Sequence, residues 1–131
     1  MSSALATLKK HRFDRITYED VQSELCERSL SHFVRQAWHV LEPVTPYRHG
    51  WHIGVIAEHL EAVSSGQISN LVINVPPGYM KSLETCVFWP AWEWGPRNQA
   101  HLRWIFASYS GALSGRDSNK TRELIKSPWY Q

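Results

Sequence analysis

A lysine and a serine, Lys81 and Ser82, stand together where an apolar segment gives way to a helix-compatible one. The apolar segment, residues 71–75, has the composition of a strand, and residues 76–80 form a proline- and glycine-containing turn. Strand, tight turn, Lys-Ser and helix make the framework of a phosphate-binding loop. Backbone N–H groups at a helix start attract anions, so this order predicts a polyphosphate site.

The residue types assign a role to each part of this loop. Lys81 would contact the β- and γ-phosphates and is the candidate catalytic residue, whereas the Ser82 hydroxyl would ligate a phosphate-bound Mg²⁺. The rest of the phosphate-binding loop would be formed by Gly78, Tyr79 and Met80.

The general pattern for such loops is met only in part. It places glycines where this chain has Val75 and Met80, so Gly78 is the one glycine left in the loop to allow a tight backbone turn. A second interpretation therefore stays open from these residues, namely a buried strand that ends at two prolines and precedes an ordinary helix with a solvated lysine.

Alternating elements are expected to position this loop. Helices are predicted at 17–41, with Thr17 as the cap, and at 51–63, 81–89 and 112–126, with a break or kink at Pro90. Strands are predicted at 70–75 and 101–108. Apolar and polar residues do not alternate along the whole length of these runs, which is typical of strands covered on both faces. Two such strands with a helix between them predict a βαβ unit over 70–131.

Composition limits the class of protein. A chain of 131 residues with 43% hydrophobic residues fits one packed domain, and a net charge of +2 is no polybasic nucleic-acid footprint. The two cysteines, Cys26 and Cys86, are spaced for neither a disulfide framework nor a zinc site. An intracellular, reducing compartment is therefore expected. Residues 1–16 are expected to be a flexible basic lead-in without a signal or membrane segment, so a soluble, cytoplasmic protein is expected.

Several blocks in collinear order resemble the N-terminal ATPase domain of tailed-phage large terminase subunits, the motors that package viral DNA. The blocks are residues 33–38, 41–43, 50–53, 74–82, 89–92, 107–110 and 127–131. This family often has Pro-Pro-x-x-[Gly or Met]-Lys-Ser as its phosphate loop, which accommodates Met80. The resemblance implies an α/β fold: an incomplete P-loop NTPase, with a parallel sheet and flanking helices, preceded by N-terminal helices.

The resemblance also implies ligands and partners. ATP and Mg²⁺ would bind at the loop, and the region of Tyr47, Trp51 and His52 looks like the part of such motors that grips adenine. Double-stranded DNA, the small terminase subunit and the portal are the implied partners, in the cytoplasm of a phage-infected or prophage-bearing host cell. Many family members carry an arginine inside the loop. Here Arg103 or Arg116 would have to replace it.

ATP hydrolysis on this architecture needs an apolar strand that ends in acidic residues. No acidic residue after the loop has that context; they are Glu84, Glu93, Asp117 and Glu123. The chain thus resembles the first part of a large terminase, ending before the acidic Walker B motif and the nuclease domain, and we do not expect turnover by this chain alone. Open strand edges also predict self-association.

Other functions remain open at this stage. The chain is alternatively a non-enzymatic prophage remnant or a piece of a split gene that acts only through protein contacts. Another phosphate-loop enzyme, such as a small-molecule kinase, and a zinc site are weaker alternatives. The zinc alternative would use the histidines near residue 52, but His49, His52, Glu58 and His59 lack the H-E-x-x-H spacing.

Overall fold

The computed structural model describes residues 16–131 and shows an assembly of helices. Residues 1–15, which make up nearly all of the predicted basic lead-in, lie outside the described residues. The helices are α1 (Tyr18–Arg28), α2 (Leu30–Leu41), α3 (Trp51–Ser64), α4 (Lys81–Leu83), α5 (Trp89–Trp94) and α6 (Gly111–Lys126), and a π-helical segment (Glu84–Phe88) joins α4 to α5.

The single helix predicted over 17–41 is two helices. Thr17 does cap the start, because its hydroxyl accepts the Asp20 N–H while the Asp20 carboxylate accepts the Thr17 N–H, which is a capping box. Ser29 then adopts an extended backbone, ends α1 and caps α2 by accepting the His32 N–H. The break lets α1 and α2 pack against each other.

The core is built from one face of each long helix and from the run that follows the loop. Its fully or nearly fully buried members include Leu30, Phe33, Val34 and Ala37 of α2, Ile53, Ile56, Ala57 and Leu60 of α3, Val87 and Phe88 of the π-helical segment, Ala91 and Trp92 of α5, and Leu124 of α6. Trp92 fills the centre, and its Nε1–H donates to the Cys26 carbonyl at 2.6 Å. This bond joins α5 to the end of α1.

The predicted α/β fold is wrong, because the described residues contain no strand and no sheet. Segments 70–75 and 101–108 have no helical or strand assignment, and they do not form the parallel βαβ unit. Leu71, Ile73 and Val75 pack against the helical core, whereas Val72 is 82% exposed and Ile105 is 96% exposed. The apolar runs indicated cover on both faces, but the structure covers one face of residues 70–75, and of residues 101–108 only Trp104 is partly buried.

The helix after the loop does not stop at Pro90. In the π-helical segment the Trp89 N–H donates to the Glu84 carbonyl, five residues back. Pro90, which has no N–H, directly follows this wider turn, and the Cys86 carbonyl four residues back accepts the Thr121 hydroxyl instead. The chain therefore continues as helix to Trp94. Among residues 16–131, no helix combines the length and the apolar character that crossing a bilayer requires.

Candidate functional site

The loop predicted to hold phosphates is an exposed turn at the start of the helical run. Gly78 has a φ of +88° and Met80 a φ of 60°, so two of its residues adopt the left-handed conformation. A Cβ on Gly78 would meet nothing within 4 Å, so the glycine is needed for its backbone angle and not for space. Met80 is a strained non-glycine residue, and its side chain packs against the core.

The end of this turn leaves backbone donors free. Met80 is the N-cap of α4 and its carbonyl accepts the Glu84 N–H at 2.9 Å, but no side chain caps the helix. The N–H groups of Lys81, Ser82 and Leu83 therefore have no partner within the helix. Lys81 is exposed beside them, while Ser82 is half-buried. Free donors next to left-handed turn residues and an ammonium group favour an anion.

Three of the predicted site residues from two distant parts of the chain meet at this loop. The His52 ring lies 5.0 Å from the Tyr79 ring and 6.1 Å from the Trp51 ring, between centroids, with edge-to-face geometry in both pairs. Trp51 is 79% exposed and Tyr79 is 46% exposed. We call Trp51, His52 and Tyr79 the aromatic cluster; it offers an exposed ring surface beside the loop.

A glycine sets the position of the central ring in this cluster. Gly50 is the N-cap of α3, and a Cβ there would lie 2.4 Å from Cε1 of His52. Any side chain at position 50 would therefore push the His52 ring away from its place. Tyr47, by contrast, is not part of the cluster: its ring packs on Trp38, and its hydroxyl lies 3.1 Å from His49 Nδ1.

Potential metal ligands near the loop are few. The described residues contain no group of three or more histidine, cysteine, aspartate or glutamate side chains placed to hold a metal ion. His59 Nδ1 contacts the Val55 carbonyl of its own helix, and His49 and His52 contact Tyr47 and Tyr79 respectively. The Ser82 hydroxyl, the predicted Mg²⁺ ligand, would therefore act together with phosphate oxygens and water.

One of the acidic residues after the loop, Glu84, has a position in the structure that the sequence did not predict. Glu84 begins the π-helical segment, three residues after Lys81, and is fully buried. Neither of its carboxyl oxygens has a hydrogen-bond partner among the described residues. Burial raises the pKa of Glu84 to about 8, so the acid is mostly protonated at neutral pH. In sequence it looks like a favourable first-turn acid, and no pattern marks it as buried.

The arginines proposed to replace the family's loop arginine have other contacts. Arg116 Nη2 lies 2.9 Å from Asp117 Oδ1. Arg103 lines a cavity of about 330 Å³ with Trp89 and Trp104. Two larger cavities, of about 740 and 560 Å³, lie between α1 and the chain end and beside α6. Residues 76–82 line none of these three cavities, and residues 76–79 and Lys81 are exposed to solvent.

Comparisons with known proteins do not assign this chain to a family. No protein-family model, curated protein or solved structure matches it. The loop and the aromatic cluster therefore have to be interpreted from their own chemistry.

Proposed function

We propose that this chain binds ATP with Mg²⁺ at residues 76–82. The observation that carries the proposal is the meeting of an exposed lysine, three free backbone donors and the aromatic cluster at one turn. Lys81 and the N–H groups of residues 81–83 suit the negative oxygens of a triphosphate. The exposed rings of Trp51 and Tyr79 suit a purine.

The proposal concerns binding and not turnover. Mg²⁺ would neutralise charge on the phosphates, with Ser82 as its ligand from the protein. The carboxyl group closest in sequence to Lys81 on the helical run belongs to Glu84, and it is buried and mostly protonated at neutral pH. Such a group is a poor metal ligand and a poor base. We propose that hydrolysis depends on residues from outside these elements.

From the resemblance to large terminases we also propose a biological setting for this binding. There the nucleotide would serve a DNA-packaging motor, with double-stranded DNA, the small terminase subunit and the portal as partners. The support for these partners is the collinear sequence blocks alone. The nucleotide site is supported separately by the loop geometry, so its test does not require DNA or any partner protein.

Lys81→Ala is expected to raise the Kd for ATP·Mg²⁺ at least roughly tenfold, because it removes the one exposed cation of the loop. Isothermal titration calorimetry of the full chain with ATP·Mg²⁺ measures this change. Lys126→Ala is the matched control, since it removes another exposed lysine, at the far end of α6. Absence of binding by the unmodified chain, or equal loss in both variants, would contradict the proposal.

A second function, contact with other proteins without nucleotide, has its own support. Several large apolar side chains outside the aromatic cluster are strongly exposed, among them Val44 at 92%, Val72 at 82% and Ile105 at 96%. Such side chains suit a protein interface. The calorimetric experiment distinguishes the two functions, because a chain that acts only through protein contacts would show no heat of binding with ATP·Mg²⁺.

A further inference from the structure

The cavity of about 330 Å³ lies between the end of α3, α5 and the segment that follows α5. Its lining includes Val63, Trp89, Glu93, Arg97, Arg103 and Trp104. We call this space the Glu93 cavity. Its volume lies within the range of about 300 to 1,000 Å³ that is typical of small-molecule sites. Residues 76–82 do not line it, so it is separate from the proposed nucleotide site.

Two residues that line the Glu93 cavity carry a buried polar atom without a hydrogen-bond partner. Glu93 is 2% exposed, and its Oε1 accepts no hydrogen bond from residues 16–131. The Nε1–H of Trp104 is also buried, and it donates no hydrogen bond within the same residues. Buried polar groups are nearly always paired in proteins. An unpaired acceptor and an unpaired donor at one cavity therefore point to a ligand that has both a donor and an acceptor.

The cation nearest to Glu93 does not satisfy its carboxylate. Arg97 Nε lies 4.0 Å from Glu93 Oε2, which is beyond hydrogen-bond distance. The Arg97 guanidinium lies over the Trp92 ring instead, 5.0 Å from its centroid. Because a buried carboxylate without a hydrogen bond is costly, Glu93 favours a ligand that brings a charged donor.

The charges around the cavity select the kind of ligand. The charged side chains that line it are Glu93, Arg97 and Arg103, and Arg103 is exposed to solvent. A ligand with an ammonium group alone would meet two arginines, whereas a ligand with a carboxylate alone would meet Glu93. A zwitterion complements both signs, because its ammonium group can donate to Glu93 while its carboxylate accepts from Arg103.

The remaining walls of the cavity are apolar and aromatic. The rings of Trp89 and Trp104 meet edge to face, with centroids 4.6 Å apart. The Trp89 ring is fixed in place, since its Nε1–H donates to Ser64 Oγ at 2.9 Å. Val63 and Leu102 add aliphatic surface to the lining. Such walls suit an apolar or aromatic side chain on the ligand.

We propose that the Glu93 cavity binds a free α-amino acid with an apolar or aromatic side chain. Its ammonium group donates to the Glu93 carboxylate, and its carboxylate accepts from Arg103 and from the Trp104 Nε1–H. Its side chain packs on the rings of Trp89 and Trp104. This inference does not depend on nucleotide binding, because the two sites share no residue.

Isothermal titration calorimetry of the full chain with L-phenylalanine and with L-leucine tests the proposal. We expect binding of at least one of them. The matched probes are 2-phenylethylamine, which lacks the carboxylate, and 3-phenylpropionate, which lacks the ammonium group. Each is expected to bind at least roughly tenfold more weakly than L-phenylalanine, because each leaves one charged group of the cavity unpaired. Absence of binding by both amino acids, or equal affinity for either probe, would overturn the proposal.

Two substitutions locate the binding site. Glu93→Gln keeps the shape of the side chain and removes its charge, and Arg103→Ala removes an exposed cation, so its folding is expected to be unaffected. Each is expected to raise the Kd for the bound amino acid at least roughly tenfold. Glu123→Gln and Arg28→Ala are the matched controls, since both residues are exposed and lie outside the lining. An unchanged Kd in Glu93→Gln or in Arg103→Ala would contradict the assignment.

Nuclear magnetic resonance of the ¹⁵N-labelled chain gives a readout at the cavity itself. The indole N–H signal of Trp104, identified by its loss in Trp104→Phe, should shift as the amino acid is added. The indole signal of Trp51, which is 79% exposed in the aromatic cluster, should not shift. An unmoved Trp104 signal at saturation would overturn the proposal.

Discussion

Glu84→Gln is expected to raise the free energy of unfolding at pH 8 by about 3 to 4 kcal/mol and to flatten its dependence on pH. The unmodified chain buries a carboxyl group without a hydrogen-bond partner, at the base of the loop that carries Lys81. Glutamine keeps nearly the same shape and cannot ionise. The substitution therefore removes the cost of either burying a charge or holding a proton, and the buried amide, which would also lack a partner, offsets part of this gain.

The direction of this pH dependence follows from the pKa values of Glu84 in the unfolded and the folded chain. Burial raises the pKa of Glu84 from 4.5 to about 8, so between these values the folded chain keeps a proton that the unfolded chain has lost. The contribution of Glu84 to the free energy of unfolding is therefore greatest below pH 4.5 and falls as the pH rises toward 8. The expected slope in that window is about −1.4 kcal/mol per pH unit for this group.

Urea denaturation of both proteins at several pH values across this window measures the difference. Glu123→Gln is the matched control, because Glu123 is an exposed acid on α6. It should leave the pH dependence unchanged. An equal pH slope in Glu84→Gln and in the unmodified chain would show that Glu84 is not buried as an acid.

Trp92→Ala is expected to lower the free energy of unfolding by about 3 to 5 kcal/mol. Trp92 is fully buried, and its Nε1–H donates to the Cys26 carbonyl at 2.6 Å. Alanine would leave a large cavity and an unsatisfied carbonyl at the junction of α1 and α5. Since small domains are stable by about 5 to 15 kcal/mol, this single change removes a large share of the total.

Thermal and urea unfolding of Trp92→Ala and Trp51→Ala give the matched comparison for this prediction. Trp51 is 79% exposed, so its replacement should change stability by less than about 0.5 kcal/mol. Equal losses in the two variants would mean that the centre of the core is not where the structure places it. Trp51→Ala should instead weaken ATP binding, because it removes a ring from the aromatic cluster.

Local signals in the sequence predicted the helices well. Thr17 and Asp20 have the spacing of a capping box, and the structure contains that box. The apolar period from Trp51 predicted a helix that is present as Trp51–Ser64. The period did not reveal the break at Ser29, because the apolar pattern continues across it and only the backbone angles separate α1 from α2.

The strands were predicted wrongly for a physical reason. A run of apolar residues predicts that their side chains are buried, but it does not predict which neighbouring element buries them. In residues 70–75 the helical core covers Leu71, Ile73 and Val75 on one side, and within residues 16–131 no strand pairs with the backbone. Pairing depends on residues far apart in the chain, and the sequence pattern carries no direct signal of it.

For the candidate site, the sequence predicted a set of residues but not their arrangement. Trp51 and His52 were assigned by resemblance to the region that grips adenine, and the structure places the His52 ring 5.0 Å from the Tyr79 ring of the loop. Tyr47 was grouped with them and instead packs on Trp38. The burial of Glu84 was not predicted, because the sequence does not distinguish a first-turn glutamate in solvent from one that a π-helical turn carries into the core.

Hydrogen exchange of the full chain with and without ATP·Mg²⁺ tests the proposed nucleotide site most directly. We predict slower exchange of the amides of residues 78–83 when ATP·Mg²⁺ is present, because phosphate oxygens would accept the free N–H groups at the start of α4. Unchanged exchange throughout residues 78–83 at a saturating concentration of ATP·Mg²⁺ would contradict the account.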